Sequence, residues 1–306
     1  MTDQVGWRTL LHRMAGRLLQ VVRGQKALTA ALAVVAALII VLAVIVWPSR
    51  TGILDEPVII GTGTDAPRIT FQDEQNKRSG FDVEFYRWLA TSHDPPFVPS
   101  EIDVNIGNRE LVLRGDHQVR LVFSSYSITT VRERQIDFAG PYLRTQQAVM
   151  VRSSDLATFK GLSDLRGQKV CAQSGATSIS GIAGIPEAIA VPKETLTECM
   201  NGLKDGEFKA VSTDELVLLG YQQHFPQGGV SVVPNLTFGA LQEWGIGLPP
   251  GPGTQNCEEM TKWIRKFIDS GQWDIVFKNN FHGLDPARFK PESKNLRECI
   301  DDTDEQ

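Results

Sequence analysis

The sequence has few of the residues from which metal sites and common hydrolase centres are built. Its 306 residues include only five histidines and four cysteines. The cysteines form no CxxC pair, and neither a GxSxG nor an HExxH motif occurs. Structural zinc sites and the common serine and metal-dependent hydrolases rely on such patterns. The sequence therefore predicts no metal centre, no cofactor and no enzymatic activity.

Positive charge is scarce beyond the first 47 residues. Residues 48–306 carry 26 basic and 35 acidic side chains, a net charge of −9. Residues 1–47 carry five basic side chains and one acidic one. Because phosphate backbones attract basic surfaces, the acidic body argues against nucleic acid as a partner.

Residues 27–47 form a run of 21 residues without any charge. A helix of that length spans about 30 Å, the thickness of the hydrocarbon core of a bilayer. The basic residues before the run favour a cytoplasmic position for residues 1–26, which places residues after Trp47 outside the cytoplasm. We predict a single-pass anchor at 27–47 in the cell membrane, followed by a linker at 48–56. Cleavage of the run as a signal peptide is the alternative.

The four cysteines all follow the predicted anchor, on its outer side. They are Cys171, Cys199, Cys257 and Cys299. An even number of cysteines in an oxidising compartment favours two disulfides, with three possible pairings. Free buried thiols are the alternative.

Apolar segments of strand and helix character alternate from residue 57 to residue 283. PVIIG predicts a buried strand, and GFDVEFYRWLA places its apolar residues at helical spacing. Further alternation follows, as in KAVSTDELVLLGY, and there is no internal repeat. This order predicts an α/β architecture with mainly parallel strands.

Five segments, in this order, resemble the polar amino-acid-binding family of type II periplasmic solute-binding proteins, the family 3 substrate-binding proteins of ABC transporters. The segments are Gly80–Val83, Ser127–Leu143, Leu162–Ser178, Asp205–Tyr221 and Trp244–Pro249. Their sequences include GFDV, SITTVRERQIDFAGPYL and WGIGLP. The forms NRE, YSIT and DFAGPYL are especially similar to actinobacterial glutamate- and glutamine-binding members.

The resemblance implies a two-lobed fold with a hinge of two crossing strands. Lobe 1 would comprise residues 57–148 and 240–285, lobe 2 residues 149–239, and residues 286–306 an acidic C-terminal tail. The crossing strands would lie near Gln147–Met150 and Gln242–Trp244. Pairing Cys171 with Cys199 and Cys257 with Cys299 would keep each disulfide within one lobe, so we favour that pairing.

The resemblance also implies ligand contacts that suit the chemistry of a free amino acid. A buried carboxylate and a buried ammonium must each find a partner. Arg132 and Ser127 match the family's carboxylate clamp, and Asp214 matches its amine acceptor. Backbone N–H groups near Ser125 and Thr177 would add donors. The alternatives are a solvated Arg132, an Asp214 that only caps a helix, and an ordinary strand serine at Ser127.

Recognition of the ligand side chain falls on three further candidates. Arg109 would suit a γ-carboxylate, or would form a surface salt bridge with Glu110 or Glu101. Arg68 is a weaker candidate for the same role. Gln173 lies where some relatives contact the ligand side chain.

Together these features predict a binding protein for glutamate, glutamine, aspartate or asparagine. The lobes would close around the amino acid, and an ABC transporter permease would recognise the closed form. The alternative is a sensor that passes ligand state to a membrane signalling protein, which the predicted anchor and basic tail favour.

Overall fold

The computed structural model describes residues 52–115 and 118–300. Within them the strands are β1 (Ile59–Thr62), β2 (Asp65–Ala66), β3 (Thr70–Gln72), β4 (Arg78–Ser79), β5 (Ser100–Asp103), β6 (Val119–Phe123), β7 (Asp137–Arg152), β8 (Lys169–Gln173), β9 (Ile189–Lys193), β10 (Ala210–Asp214) and β11 (Val230–Leu248). The α-helices are α1 (Phe81–Ser92), α2 (Arg109–Arg114), α3 (Thr130–Glu133), α4 (Thr177–Ala183), α5 (Leu196–Lys204), α6 (Glu215–His224), α7 (Gln255–Asp269) and α8 (Gln272–Asn280). Short 3₁₀ helices lie at Leu162–Leu165, Pro286–Arg288 and Ser293–Asn295.

Eight of these strands form one continuous sheet in the order β5-β1-β6-β11-β7-β10-β8-β9. Neighbouring strands pair in parallel within the two outer groups, β5-β1-β6 and β10-β8-β9. The central strands β7 and β11 pair antiparallel with each of their neighbours. Strands β2, β3 and β4 form a small separate antiparallel sheet. The alternation of strands and helices agrees with the predicted α/β class.

Strands β7 and β11 run through both halves of the sheet and form the predicted crossing pair. They are 16 and 19 residues long and pair from Val230 with Arg152 to Leu248 with Asp137. The pairing is offset between Phe238 and Gln242, which leaves residues 239–241 as an insertion in β11. An insertion of this kind weakens the ladder locally. The two-lobed type II fold is confirmed, and this irregularity lies beside the crossing point predicted near Gln147 and Gln242.

Helix α1 closes lobe 1 because its apolar residues share one face. Phe81, Phe85 and Leu89 recur every four residues and are fully buried. The ring of Phe85 stacks on that of Phe267 in α7, with centroids 3.9 Å apart. Such a pair adds about 0.5–1.5 kcal/mol beyond the burial of its apolar area.

Lobe 2 has a core of its own on the side of the sheet that helix α4 covers, whereas the buried residues of α5 belong to the larger core that lobe 1 shares. Val149, Val170 and Ile182 belong to the core on the α4 side. Helix α5 begins with a capping box, in which Thr195 and Glu198 satisfy each other's backbone N–H groups. This reciprocal cap explains why the sequence TLTE starts a helix at Leu196.

The two disulfides pair as predicted, Cys171 with Cys199 and Cys257 with Cys299. The first joins β8 to α5 within lobe 2. The second ties the C-terminal segment to α7 in lobe 1.

The predicted linker and tail are more closely packed than their polarity suggested. Ile53 and Leu54 are buried in the core, so the chain joins lobe 1 before residue 57. In the C-terminal segment Phe289 is buried against Phe277, and Cys299 carries the second disulfide. The predicted C-terminal tail is therefore held to lobe 1 at Phe289 and at Cys299.

Nowhere in residues 52–115 and 118–300 does a helix combine the length and the apolarity that crossing a membrane requires. The predicted anchor at 27–47 and the basic tail at 1–26 lie outside the described residues.

Candidate functional site

A small cavity of about 20 Å³ lies between the two lobes. Its lining residues are Ile106, Arg109, Ser125, Ser127, Arg132, Ala176, Thr177, Thr213 and Asp214. Six of the eight predicted ligand-contacting residues are among them, and they come from both lobes. The structure thus brings together side chains that are up to about a hundred residues apart in the chain.

Arg132 lies in α3 and is buried, so it is not a solvated surface residue. Its Nη1 donates to the carbonyl of Ser127 at 2.7 Å, and its Nη2 donates to the carbonyl of Gly175 at 2.9 Å. Its Nε lies 3.3 Å from Glu110 Oε1. Gly175 belongs to lobe 2, so this guanidinium already bridges the two lobes.

Asp214 ends β10 and is buried on the opposite wall of the cavity. It does not cap α6 with its side chain, contrary to the alternative interpretation. Its Oδ2 instead accepts a hydrogen bond of 2.6 Å from Trp244 Nε1. Burial raises the pKa of Asp214 to about 6, although the bond from Trp244 and the charge of Arg132 partly offset that increase.

Ser125 and Ser127 lie on the loop that follows β6, at the end of a buried parallel strand. Ser125 has a left-handed backbone with φ of 43°, and its N–H donates to Asp82 Oδ2 at 2.8 Å. That N–H therefore already has an acceptor within the protein, although Ser125 itself lines the cavity. Ser127 is buried and pairs with Trp244 through an isolated antiparallel bridge.

Asp82 supports the site from behind, a role that the sequence did not reveal. It is fully buried, and its Oδ1 also accepts from the hydroxyl of Tyr142 at 2.9 Å. Burial raises its pKa to about 7 despite the bonds from Ser125 and Tyr142. Its two hydrogen bonds fix the loop on which Ser125 and Ser127 lie.

Arg109 is buried beneath the cavity and makes neither of the predicted surface salt bridges. Glu110 pairs with Arg132, and Glu101 with Arg78 and Arg87. Arg109 Nη1 donates to the carbonyl of Ser124 at 2.9 Å, and its Nε has no hydrogen-bond partner.

Burial and the nearby charge of Arg132 lower the pKa of Arg109 to about 9. The guanidinium lies 4.0 Å from the centre of the Tyr126 ring, and that of Arg132 lies 5.1 Å from the same centre. The face of an aromatic ring attracts cations, so Tyr126 helps to hold two like charges side by side.

Thr177 begins α4 on the lobe 2 wall. The first N–H groups of a helix have no acceptor within it, and Ala176 and Thr177 at the start of α4 line the cavity, so these groups stay the predicted donors. The hydroxyl of Thr177 donates to Gln242 Oε1 at 2.9 Å, across to the hinge strand.

Arg68 and Gln173, the other two predicted contacts, are not among the residues that line the cavity. Arg68 donates to the backbone carbonyls of Asn280 and Gln223. Gln173 Nε2 donates to Asp65 Oδ2 at 3.2 Å. Both residues are committed to contacts within the protein, so neither is positioned to read a ligand in the cavity.

A larger groove of about 720 Å³ opens beside the cavity and shares Ile106, Arg132, Ala176 and Thr177 with it. The groove connects the site to solvent between the lobes. Within the described part of the chain, no cluster of three or more histidine, cysteine, aspartate or glutamate side chains could hold a metal ion.

Sequence reasoning missed Trp244 and Tyr126 and expected Asp82 only to cap a helix; all three contact the predicted residues. Trp244 and Tyr126 are fully buried, and the sequence does not distinguish them from ordinary aromatic residues of the core. Tyr126 does lie in the YSIT segment and Trp244 in WGIGLP, so their positions within the quoted segments were the available signal.

Comparison with known proteins adds independent findings. Residues 58–304 match the family model described as bacterial extracellular solute-binding proteins, family 3. The chain is 29% identical over 184 residues to the glutamate-binding protein GluB of Corynebacterium glutamicum. The alignment covers 58% of this chain and 61% of that protein. It therefore spans about three fifths of the length of that relative. Identity to the ABC transporter glutamine-binding protein GlnH of Bacillus subtilis is 21%, covering 73% of this chain and 81% of that protein.

Solved structures agree on the fold. An ancestral arginine-binding protein bound to arginine superposes with a TM-score of 0.65 at 26% identity, covering 73% of this chain and 97% of that chain. The same kind of ancestral protein bound to glutamine gives a TM-score of 0.63 at 27% identity, with the same coverage.

Proposed function

The chain belongs to family 3 of the bacterial extracellular solute-binding proteins, and from that membership we propose that it binds a small polar amino acid between its lobes. The proteins of this family bind solutes and are not enzymes. Two points beyond the family remain to be proposed for this chain: the solute that it binds and the protein that recognises its liganded form.

One observation carries the proposal. Two buried guanidinium groups, those of Arg132 and Arg109, and one buried carboxylate, that of Asp214, face the same cavity. An amino acid offers a carboxylate for a guanidinium and an ammonium for a carboxylate. Charged groups removed from water need such partners, so the cavity suits a zwitterion better than a neutral solute.

The charge of the cavity favours an acidic amino acid over its neutral amide. The cavity itself is lined by two cationic side chains and one anionic side chain, while Glu110, which lines the adjoining groove, pairs with Arg132. Glutamate and aspartate each carry one net negative charge, so either would balance the surplus in the lining better than glutamine or asparagine. Of these two we propose glutamate, with its side-chain carboxylate at Arg109. The name of GluB mentions glutamate and supports this choice, whereas the name of GlnH mentions glutamine.

Binding requires the lobes to part and close again. A cavity of about 20 Å³ holds little more than one water molecule, which needs at least about 10–15 Å³. Arg132 would then exchange the carbonyl of Gly175 for the α-carboxylate of the ligand. Such an exchange is favourable because hydrogen bonds between ions are stronger than those to a neutral carbonyl.

We further propose that the closed form delivers its amino acid to an ABC transporter permease. In this proposal residues 27–47 anchor the protein in the cell membrane, with the binding domain outside the cytoplasm. A sensor that reports ligand state to a membrane signalling protein is the second candidate, supported by the five basic residues that precede the anchor. Uptake of labelled amino acid by cells with and without the protein separates the two roles.

Thermal unfolding of the full chain in detergent, measured against each of the twenty amino acids, tests the ligand. A ligand at one hundred times its dissociation constant adds about 2.7 kcal/mol to the free energy of unfolding. We expect that increase with glutamate and its loss in the Arg132→Ala variant. Arg134→Ala is the matched control, because Arg134 is an exposed arginine two residues away.

A shift with glutamine or aspartate alone would revise the ligand but keep the site. If no amino acid raises the unfolding temperature of the wild-type protein, the amino-acid proposal is wrong and only the fold remains. A shift that survives in Arg132→Ala would place the ligand elsewhere.

A further inference from the structure

The loop between β1 and β3 contacts lobe 2 although it belongs to lobe 1. We call residues 64–69 of this loop the clasp loop. Two of its side chains of opposite charge, Asp65 and Arg68, lie three positions apart and reach different helices. Neither side chain lines the ligand cavity.

Asp65 forms the first arm of the clasp loop. Its Oδ2 accepts hydrogen bonds from the backbone N–H of Leu196 at 2.7 Å and from Gln173 Nε2 at 3.2 Å. Leu196 is the first residue of α5, so the carboxylate lies at the positive end of that helix. A negative side chain is favourable at that end because it satisfies an N–H group that lacks an acceptor within the helix.

Arg68 forms the second arm, with the opposite charge at the opposite kind of helix end. Its Nη2 donates to the carbonyl of Gln223 at 3.2 Å, near the end of α6 in lobe 2. Its Nη1 donates to the carbonyl of Asn280 at 2.7 Å, at the end of α8 in lobe 1. The free carbonyls at the end of a helix attract cations, so this guanidinium joins the two lobes through two helix ends.

The backbone of the clasp loop also packs closely on lobe 2. Arg68 has a left-handed backbone with φ of 67°, which is costly for a residue with a side chain. A Cβ added at Gly220 in α6 would lie only 2.6 Å from the carbonyl oxygen of Pro67. The absence of a side chain at Gly220 therefore allows the loop to approach the helix. Just beyond the loop, the ring of Phe71 lies 4.7 Å from that of His224.

We propose that the clasp loop holds lobe 2 against lobe 1 in the absence of ligand, with Asp65 and Arg68 as positioning residues that set the affinity for it. Both arms act across the boundary between the lobes, and each complements the charge of the helix end that it meets. Lobe opening breaks the bonds of Asp65 to Leu196 and of Arg68 to Gln223 together. The two residues thereby set the population of the closed form before any ligand arrives.

Hydrogen–deuterium exchange of the ligand-free full chain in detergent tests the clasp. The informative amides lie in the cavity walls, at residues 125–132 and 174–178, because no hydrogen bond joins them to the clasp loop. In the Asp65→Ala, Arg68→Ala double variant we expect exchange there to be at least tenfold faster, which corresponds to about 1.4 kcal/mol in the free energy of opening. Each single variant should give a smaller increase, and Arg68→Lys should retain part of the protection.

The control variants break comparable ionic contacts inside lobe 2. Asp155 accepts hydrogen bonds from Arg152 and Lys209, and Arg166 pairs with Glu187. Asp155→Ala and Arg166→Ala should leave exchange in the cavity walls unchanged, since neither contact crosses between the lobes.

Gly220→Ala tests the same closure without removing any charge. Alanine stabilises helix α6 relative to glycine, but its Cβ forces the carbonyl of Pro67 away. Hydrogen exchange in the cavity walls should therefore also become faster. Unchanged exchange in both Gly220→Ala and the double variant would overturn the proposal. So would faster exchange throughout both lobe cores, because that pattern indicates general destabilisation. These measurements use no ligand, so their outcome is separate from the identity of the amino acid.

Discussion

At the scale of single residues, the site depends on charges that are removed from water and only partly neutralised. Arg109 and Arg132 share the face of the Tyr126 ring, and Asp214 faces them with one hydrogen bond from Trp244. The interior favours the neutral form of each group, which raises the pKa of Asp214 and lowers that of Arg109. A ligand with complementary charges would relieve part of this cost, which is the physical basis of the proposed selectivity.

The raised pKa of Asp214 predicts that amino-acid binding depends on pH. Only the ionised carboxylate fully attracts an ammonium, and its pKa is about 6. The affinity should therefore be about tenfold lower at pH 5 than at pH 7.5, because one pH unit below the pKa leaves about a tenth of the groups ionised. Isothermal titration calorimetry of the full chain across this range measures the effect.

Trp244→Phe sharpens this test. The variant removes the hydrogen bond that lowers the pKa of Asp214, so the midpoint of the pH dependence should move upward. Trp263→Phe is the control, because Trp263 packs on α1 through Trp88 and not in the cavity. An affinity that stays constant from pH 5 to pH 7.5 would contradict the assignment of the ammonium to Asp214.

The stability of the ligand-free protein should depend on pH in the opposite direction to the affinity, because the folded state favours the protonated form of Asp214. The folded-state pKa of about 6 exceeds the ordinary value of 3.8, so the folded protein binds a proton more tightly than the unfolded chain does. The stabilising contribution of this protonation is fully present below pH 3.8 and is lost as the pH rises through 6.

At the scale of elements, two strands join the lobes, and each of the two disulfides stabilises one lobe. Strands β7 and β11 cross between the lobes, and the insertion at residues 239–241 interrupts their pairing there. Gly239 in that insertion has a φ of 72°, a conformation that favours glycine. Each disulfide lies within a single lobe, so neither restricts rotation at the hinge.

Removal of the second disulfide should release the C-terminal segment without opening the lobes. The bond between Cys257 and Cys299 closes a sequence separation of 42 residues, for which loop entropy predicts a contribution of about 4 kcal/mol. The Cys257→Ser, Cys299→Ser variant should lose up to that amount of unfolding free energy. Chemical denaturation gives the loss, and hydrogen exchange should rise across residues 286–300.

The matched control replaces Cys171 and Cys199 by serine. It should lower stability by a similar amount, since the separation of 28 residues predicts about 3.6 kcal/mol, but leave exchange at 286–300 unchanged. Equal exchange at 286–300 in the wild type and the Cys257→Ser, Cys299→Ser variant would show that the other contacts of the segment, such as the packing of Phe289 and the ion pair of Lys290 with Asp274, are sufficient to hold it.

At the scale of the whole molecule, the function depends on two lobes meeting at one cavity. Arg132 from lobe 1 contacts Gly175 of lobe 2, and the clasp loop joins the lobes at a second place. Ligand and clasp would thus act on the same equilibrium between open and closed forms.

This geometry predicts that glutamate slows hydrogen exchange in both walls of the cavity at once. Protection should appear at residues 125–132 of lobe 1 and at 174–178 and 213–214 of lobe 2. Strand β9, at the far edge of the sheet, should change little and serves as the internal control. Protection of one wall alone would contradict binding by closure.

Much of the fold and most of the site could be predicted from the sequence, because they depend on local patterns. Apolar spacing such as that of Phe81, Phe85 and Leu89 determined helix α1, and the order of strands and helices determined the α/β class. The segments containing Arg132, Ser127 and Asp214 identified the residues that line the cavity. The pairing of each cysteine with its neighbour in sequence also followed from the assumption of two lobes, because it keeps each disulfide within one lobe.

What only the tertiary structure decided was which partner each polar group meets. Sequence cannot distinguish an arginine facing a ligand from one donating to helix ends, because both require the same side chain. Arg68 belongs to the second kind, and Ser125 gives its N–H to Asp82. Contacts between residues more than forty positions apart depend on how the elements pack, so the sequence determined the elements and the candidate charges, while packing decided their pairing.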